Sequence, residues 1–516
     1  MFIQNRIFIF IFLLLSLFSK EIISETVEEI VVLGDWRETS TDQEDSSVVL
    51  LNAVKIKSQS MKHFEQLSYL VPNLNFAASD SRARYFQIRG IGERSGYQGT
   101  PNSSVGFLID DIDYSGQGGI ATTFDVEQIE IYRGPQGSRI GANALAGLIY
   151  IKTKDPTEEF EATSEITIGS FGTKSAGFAF GGPLADSENI SYRLALRKDN
   201  SDGFRKNLYL KRSDTSRKDE TTSRLKVDWE MDEKTSVKLL ISQVDLDDPS
   251  DIWTLDGSLN TLSDRPGMDS QKTNSYGLKI FHNFAGFDLQ SLTSSTDTSV
   301  VFSYDADWGN ADSWTPFIYD YFSETLRDRK TFSQELRLVS NEANLDEEQK
   351  IEWVFGVSFL EIKESNLKKD DGSYGDPSDP YGPYASKSAS SSKYESDNFS
   401  LFGNLDYLIS DSLKLSLGLR WEDWESDFVD TLGDEFNPSN DMAGGKISVV
   451  KNTENDANIF VSIAKGYKQG GFNLGLGLGS NSMNQNLLYD PEYLTNYELG
   501  IKSKLFDSRM NLAAVI

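Results

Sequence analysis

The chain contains no cysteine, so disulfide staples, thiolate metal sites and thiol nucleophiles are excluded at once. Histidine is almost as scarce. His63 and His282 are the two present, and they stand too far apart in sequence to suggest a metal cluster. Basic residues are outnumbered, 50 Lys+Arg against 79 Asp+Glu, and the net charge of -29 argues against nucleic acid, because phosphate recognition needs clustered Lys and Arg. Catalytic signatures are missing as well. There is no Walker loop and no H-E-x-x-H, and Gly90-Ile91-Gly92 continues without the third glycine of a dinucleotide motif. Asp370-Asp371-Gly372 lacks the rest of an EF-hand loop. No enzyme activity, no cofactor and no bound metal are expected. The many carboxylates read as loop solvation.

Long apolar runs are absent except for one. Ile7 to Phe18 follows a short head carrying Arg6 and is broken by Lys20 and Glu21. A permanent bilayer helix needs about 20 apolar residues, so this run has the layout of a secretory signal peptide, expected over residues 1–24. Residues 25–45 form an acidic leader interrupted by Ile30-Val31-Val32-Leu33, an apolar stretch that either packs on the body or is offered to a partner by strand addition.

What remains is rich in glycine and aromatics, and its 516 residues allow more than one domain. Residues 46–157 read as a compact mixed α/β unit. Ala53 to Leu70 has partial helical spacing through Met61, Phe64, Leu67 and Leu70. Short β-like runs follow at Tyr85–Arg89, Val105–Ile109, Gln128–Tyr132 and Leu148–Thr153, separated by glycine-rich turns.

From Glu161 onward apolar residues fall at every second position, as in Leu225/Val227/Trp229, Tyr276/Leu278/Ile280 and Leu413/Leu415/Leu417/Leu419/Trp421, with polar residues between them. About 15 such segments are present, many about 9–12 residues long, the length a tilted strand needs to cross a bilayer. Short turns alternate with long acidic connections near 245–272, 303–328, 365–396 and 424–443, which is the layout of an outer-membrane barrel. A soluble sandwich or propeller is the competing reading, and it lacks the expected blade repeat.

The two regions together resemble a TonB-dependent outer-membrane receptor of the siderophore-receptor type. Val126 to Lys154 (VEQIEIYRGPQGSRIGANALAGLIYIKTK) is similar to the end of that family's plug domain. Phe86 to Gly90 and Val105 to Asp111 resemble earlier plug pieces. Gly181 to Leu184, Ala464 to Asn473 and Pro491 to Lys502 resemble barrel segments. Glu28, Glu29, Ile30, Val31 and Val32 resemble the TonB box.

The resemblance implies a mainly β fold, with a plug (46–157) inside a transmembrane antiparallel barrel (158–516) of the 22-stranded type. It implies energised uptake of a scarce nutrient across the outer membrane of a Gram-negative bacterium, first of all a ferric siderophore, with vitamin B12, a glycan or another metal chelate as alternatives. Haem is disfavoured, because Gly466 to Phe472 shows neither a histidine nor the aromatic-Pro motif of haem receptors. The implied partners are TonB of the inner-membrane energising complex, outer-membrane lipid and the ligand, with the protein acting as a monomer. A passive porin would need no plug and no box, and a secreted β-rich binding protein would need no detergent.

By the same resemblance Arg89 and Arg133 of the plug are expected to pair with wall glutamates, with Glu335 and Glu498 as the candidates. Arg82, Arg84, Tyr97, Gln98, Tyr114 and Gln117 are expected on outward plug loops as substrate contacts. Loop aromatics such as Trp253, Trp308 and Tyr381 are further candidates, equally explained as interface girdle or loop cores. Because the chain stops at Ala513-Ala514-Val515-Ile516 inside a strand pattern, with about 15 strands, a C-terminally truncated barrel is expected.

Overall fold

A computed structural model describes residues 31–32, 37, 39–40, 44–59, 61–78, 82–94, 100–185, 187–341, 351–453, 457–473, 487–505 and 510–516. The expected signal peptide, together with Glu28, Glu29 and Ile30 of the expected box, lies outside these residues, as do Tyr97 and Gln98.

The leader contributes β1 (Val31–Val32), paired antiparallel with β2 (Thr39–Ser40). The plug starts with β3 (Val48–Asn52). Asn52 then caps α1 (Ala53–Ser58) by accepting from the Lys55 N–H. His63 caps α2 (Phe64–Leu67), and a 3₁₀ turn at Ser68–Leu70 ends this part. The expected single helix is thus two short ones.

Next come β4 (Leu74–Ala78) and β5 (Ala83–Ile88), a hairpin, then β6 (Val105–Ile109), β7 (Ile112–Asp113), β8 (Val126–Arg133) and β9 (Gly147–Thr153). Five of these strands form one sheet in the order β3-β8-β9-β6-β7, with β6 and β9 parallel. Phe64, Phe86 and Phe107 fill its core, the last two stacked with centroids 5.3 Å apart. Leu240, Val244 and Leu246 complete this core from outside the plug, so the plug buries its apolar face partly against the wall.

The wall runs through β10 (Glu161–Ile168), β11 (Lys174–Pro183), β12 (Ile190–Ser201), β13 (Lys206–Asn207), β14 (Lys218–Asp232), β15 (Thr235–Ser250), β16 (Asn260–Thr261), β17 (Gly267–Phe284) and β18 (Phe287–Asp305). After the short helix α3 (Ala311–Trp314) come β19 (Ile318–Ser340), β20 (Ile351–Gly375), β21 (Tyr384–Ser410), β22 (Leu413–Asp430) and β23 (Glu435–Phe436). It ends with β24 (Ser439–Asn452), β25 (Ala457–Lys468), β26 (Gly471–Phe472), β27 (Leu488–Tyr489), β28 (Glu492–Leu505) and β29 (Met510–Val515).

A single 16-stranded sheet contains all of these except β13, β16, β26 and β27, and it follows sequence order by antiparallel neighbours. Among the described residues β10 pairs only with β11 and β29 only with β28. One rim carries short turns such as 233–234, 285–286 and 411–412, and the other carries the long connections.

Burial in the wall is inside out. Leu239, Ile241, Tyr276, Leu278, Leu419 and Val461 are exposed, while Arg224, Lys226, Gln271, Thr273 and Ser275 between or beside them are buried. An apolar exterior with a polar interior suits a sheet bathed in lipid and filled from within by the plug.

Several strands exceed the expected length. β20 has 25 residues and β21 has 27, whereas a tilted crossing takes about 9–11. Much of 303–328, 365–396 and 424–443, expected as loop, is therefore strand that continues past the membrane. Both faces of the first residues of β21, Tyr384–Ser390, are exposed or half-exposed, so the alternation that marks a bilayer strand is lost there. Beyond the membrane the connections are knotted by polar groups. The buried carboxylate of Asp251 accepts from Asn207 (3.1 Å), Thr261 (2.9 Å), Ser263 (2.7 Å) and Thr215.

Candidate functional site

The site is the contact between plug and wall. On one side of the plug, strands β12–β17 hold it by buried ion pairs. Asp125, next to β8, takes two bonds from Arg193, at 2.9 and 2.6 Å, and lies 3.7 Å from Arg224. Lys226 reaches Asp110 at 3.0 Å, Asp155 at 2.8 Å and the Thr153 carbonyl at 2.9 Å. Lys279 pairs with Asp111. Asp110 and Asp111 form the β6–β7 turn, both with positive φ (51° and 71°). This conformation is tolerated by aspartate and places both carboxylates at the plug edge.

At the long-loop rim the plug is also pinned. Arg82 bonds Asp248 at 2.9 Å and Glu220 at 3.1 Å, and Arg84 bonds Asp269. Glu93 pairs with Lys468 at 2.8 Å, Asn102 donates to the Gln469 carbonyl, and the Phe472 N–H donates to Thr100. Phe472 stacks on Phe436 at 5.0 Å and joins Phe428 and Tyr394 in an aromatic cluster.

The leader spans the short-turn rim. Val32 is fully buried against Leu108, Tyr132, Leu148 and Tyr150. Arg37 donates to Ser340 Oγ (2.7 Å) and the Trp353 carbonyl (2.9 Å) and lies 3.3 Å from Glu352. Asp45 accepts from Lys446 and Ser448, and Lys502 donates to the Glu44 carbonyl at 2.6 Å. A cavity of about 470 Å³ lies between this leader, plug residues 136–139 and strands β20–β25.

The residues expected to join plug and wall are placed as follows. Arg89 Nη1 lies 2.9 Å from Glu498 Oε1, and Arg133 sits in the field of the same carboxylate and of Arg89. Glu335 pairs instead with Arg337 on its own strand. Residues two apart on a strand share a face, so Arg337 is always the nearer cation.

The described substrate-contact candidates lie between plug and wall or in the plug core. Arg82 and Arg84 are buried and bonded to the wall, Tyr114 is buried in the plug core, and Gln117 is buried. Trp253 and Trp308 stack on each other at 5.4 Å, Tyr374 packs against Tyr384 across β20 and β21, and all four stay exposed. Tyr381 alone of the three named examples is strongly exposed, at 84%.

Sequence reading missed Asp110, Asp111, Asp125, Lys226, Lys279, Glu93 and Lys468. For the wall cations a signal existed. Lys226 stands between Leu225 and Val227, and Lys279 between Leu278 and Ile280, and an inward charge opposite a lipid-facing pair demands a partner.

One group in the outer connections titrates in the accessible range. Burial, then the neighbouring Asp307 and Asp264 charges, push the Asp305 carboxyl from 3.8 up to about 8. The folded protein therefore holds a proton that the unfolded chain has released between those two values. This contribution to stability is full below about pH 4 and is lost as the pH rises to about 8. Proteolysis of the 306–317 connection is expected to be faster at pH 9 than at pH 5. Asp305→Asn should remove the difference; an unchanged pH dependence in that variant would exclude Asp305 as its source.

Comparisons with known proteins bear on the whole arrangement. The family description "TonB-dependent Receptor Plug Domain" matches residues 40–148, and "TonB dependent receptor-like, beta-barrel" matches residues 241–515. The pesticin receptor of Yersinia enterocolitica is 22% identical over 503 residues, covering 92% of this chain and 68% of that protein. The ferric enterobactin receptor PirA of Pseudomonas aeruginosa is 25% identical over 206 residues, covering 35% of this chain and 28% of that one. Among solved structures, the ferric yersiniabactin uptake receptor FyuA of Yersinia pestis superposes with a TM-score of 0.74 at 18% identity, covering 92% of this chain and 71% of that one. The siderophore receptor PiuA of Acinetobacter baumannii gives 0.71 at 17%, covering 93% and 72%.

Proposed function

Because this chain belongs to the family of TonB-dependent receptors, outer-membrane barrels of Gram-negative bacteria that transport rather than catalyse and that work with TonB, we propose that it takes up a ferric siderophore. The observation that carries the reading is the plug itself, ion-paired to the wall of an inside-out sheet and preceded by an apolar strand at the short-turn rim. A passive pore has no use for such a plug. The substrate class is supported by relatives whose names specify ferric enterobactin and ferric yersiniabactin.

In this reading Glu28, Glu29, Ile30, Val31 and Val32 are the segment that TonB takes up as an added strand. Arg89, Arg133 and Glu498 form one plug–wall contact. The domains divide at 24, 45 and 157. The exposed apolar residues of the wall face lipid, and the protein acts as a monomer.

The test is uptake of a panel of ferric siderophores, with cobalamin as a separate arm, by the full chain and by a variant lacking residues 28–33. Uptake of at least one ferric siderophore by the full chain is expected, falling to background in the deletion while surface binding persists. Uptake that survives the deletion would overturn the energised mechanism, and uptake of cobalamin alone would overturn the substrate class.

A further inference from the structure

The plug is held unequally. Toward β12–β17 it is joined to the wall by Asp125–Arg193, Lys226–Asp110 and Lys279–Asp111, and two gaps there measure about 80 and 20 Å³. Toward β20–β25 the gap is about 470 Å³, within the range of small-molecule sites. Its lining mixes both signs of charge, with Arg139, Lys414 and Lys446 against Glu352, Asp406 and Asp411. Such walls suit a hydrophilic ligand rich in hydrogen-bonding groups and offer little to an apolar one. The leader edges this cavity at the short-turn rim, where Asp45 is bonded to Lys446 and Ser448 of β24.

We propose that this cavity is a transit site, through which a polar, hydrogen-bonding substrate leaves the barrel on the β20–β25 side of the plug, and that Asp45 is the latch that keeps it shut. The proposal rests on the uptake reading and adds to it the side of exit and the residue that closes it. Releasing Asp45 frees the leader from β24 without touching the ion pairs on the opposite side, and leaves Arg37 on β19 and β20 and Lys502 on β28 as its ties to the wall. The plug can then stay anchored by β12–β17 while the cavity opens to the periplasm.

The absence of native cysteine makes the test clean. A single cysteine is placed in the cavity, Ser138→Cys, or on the opposite side at Ser242→Cys, which lines the gap of about 20 Å³. Labelling by a membrane-impermeant maleimide supplied from the periplasmic side is compared with and without Asp45→Asn. The Ser138→Cys rate is expected to rise on the order of tenfold or more, the factor implied by losing a charge-assisted contact, while the Ser242→Cys rate stays constant. An unchanged rate at Ser138→Cys, or an equal rise at Ser242→Cys, overturns the proposal.

In a second arm, Asp45→Cys with Ser448→Cys is oxidised to lock the leader. Uptake should stop while surface binding continues, and reduction should restore uptake; full uptake by the locked chain overturns the proposal. The labelling arm needs no substrate, so it still reads the latch if the siderophore assignment fails.

Discussion

Asp125→Asn is expected to cost the plug about 3–5 kcal/mol of its attachment to the wall, the penalty of leaving a buried charge without its partner. Asparagine keeps the shape of the side chain and tolerates the positive φ of 58° at this position, so the change isolates the charge. Arg193 would keep at most one of its two short bonds, now to a neutral oxygen, and Arg224 would lose the carboxylate 3.7 Å away. Among the described residues the other carboxylate paired with Arg193 is Glu161, at 3.6 Å and half exposed, which screens poorly for a buried guanidinium. Denaturant unfolding of the plug, followed by hydrogen exchange of β8 and β9, measures the loss. Adding Arg193→Gln should recover part of it, because the guanidinium that depends most on Asp125 is then gone, while Arg224 remains with its bonds to the Phe124 and Asp125 carbonyls. If the single variant unfolds at the same denaturant concentration as the parent, the clamp does not hold the plug.

Gly141→Ala is expected to be nearly as damaging, through backbone and crowding instead of charge. Gly141 has φ 88° and ψ -141°, a region open essentially to glycine alone, so a side chain there costs about 1–3 kcal/mol in strain. An added Cβ would also lie 2.3 Å from Glu422 Oε2 and 2.8 Å from Arg420 Nε. Glu422 is not free to retreat. It is buried and accepts from Tyr467 at 2.8 Å, Arg420 at 3.2 Å and Asn398. Overpacking of this kind adds about 1–3 kcal/mol. Trp424, fully buried beside Ala142, Met442 and Tyr467, is a local reporter of the disturbance. Gly169→Ala is the comparison, because the atoms nearest its Cβ would be those of Thr173, at ordinary distances of 3.4–3.9 Å. Equal melting temperatures for the two variants would refute the argument.

How much of this was legible in the sequence depends on where solvent changes. Inside the bilayer each strand has one face in lipid and one in the lumen, so Leu225, Val227 and Trp229 announce their strand. Past the membrane both faces of Tyr384–Ser390 meet water, no alternation survives, and strand reads as loop. The plug was legible as a unit because its short strands are separated by turns that require glycine, such as Gly90 with φ 83°. The partners of its charges were not. Arg89 and Glu498 are some four hundred positions apart, and only register brings them together. Arg82 and Arg84 looked like exposed loop tips because a charged residue near a turn normally is one. They are buried because Glu220, Asp248 and Asp269 reach inward from β14, β15 and β17 to meet them.

The place of β3 at the edge of the plug sheet has a further consequence for how the plug comes apart. β3 follows the leader directly and pairs on one side only, through five residue pairs from Val48–Tyr132 to Asn52–Gln128. The ion pairs to β12–β17 belong to Lys62, to Arg82 and Arg84 of the β4–β5 hairpin, to the β6–β7 turn and to the segments flanking β8 and β9, and among the described residues none involves β3. The plug is therefore two cooperative units of unequal stability: a detachable outer strand, and a remainder whose sheet and anchors survive its loss. Partial unfolding that starts at the leader can stop after Asn52, and the route back to the closed state then requires re-pairing one strand rather than refolding a domain.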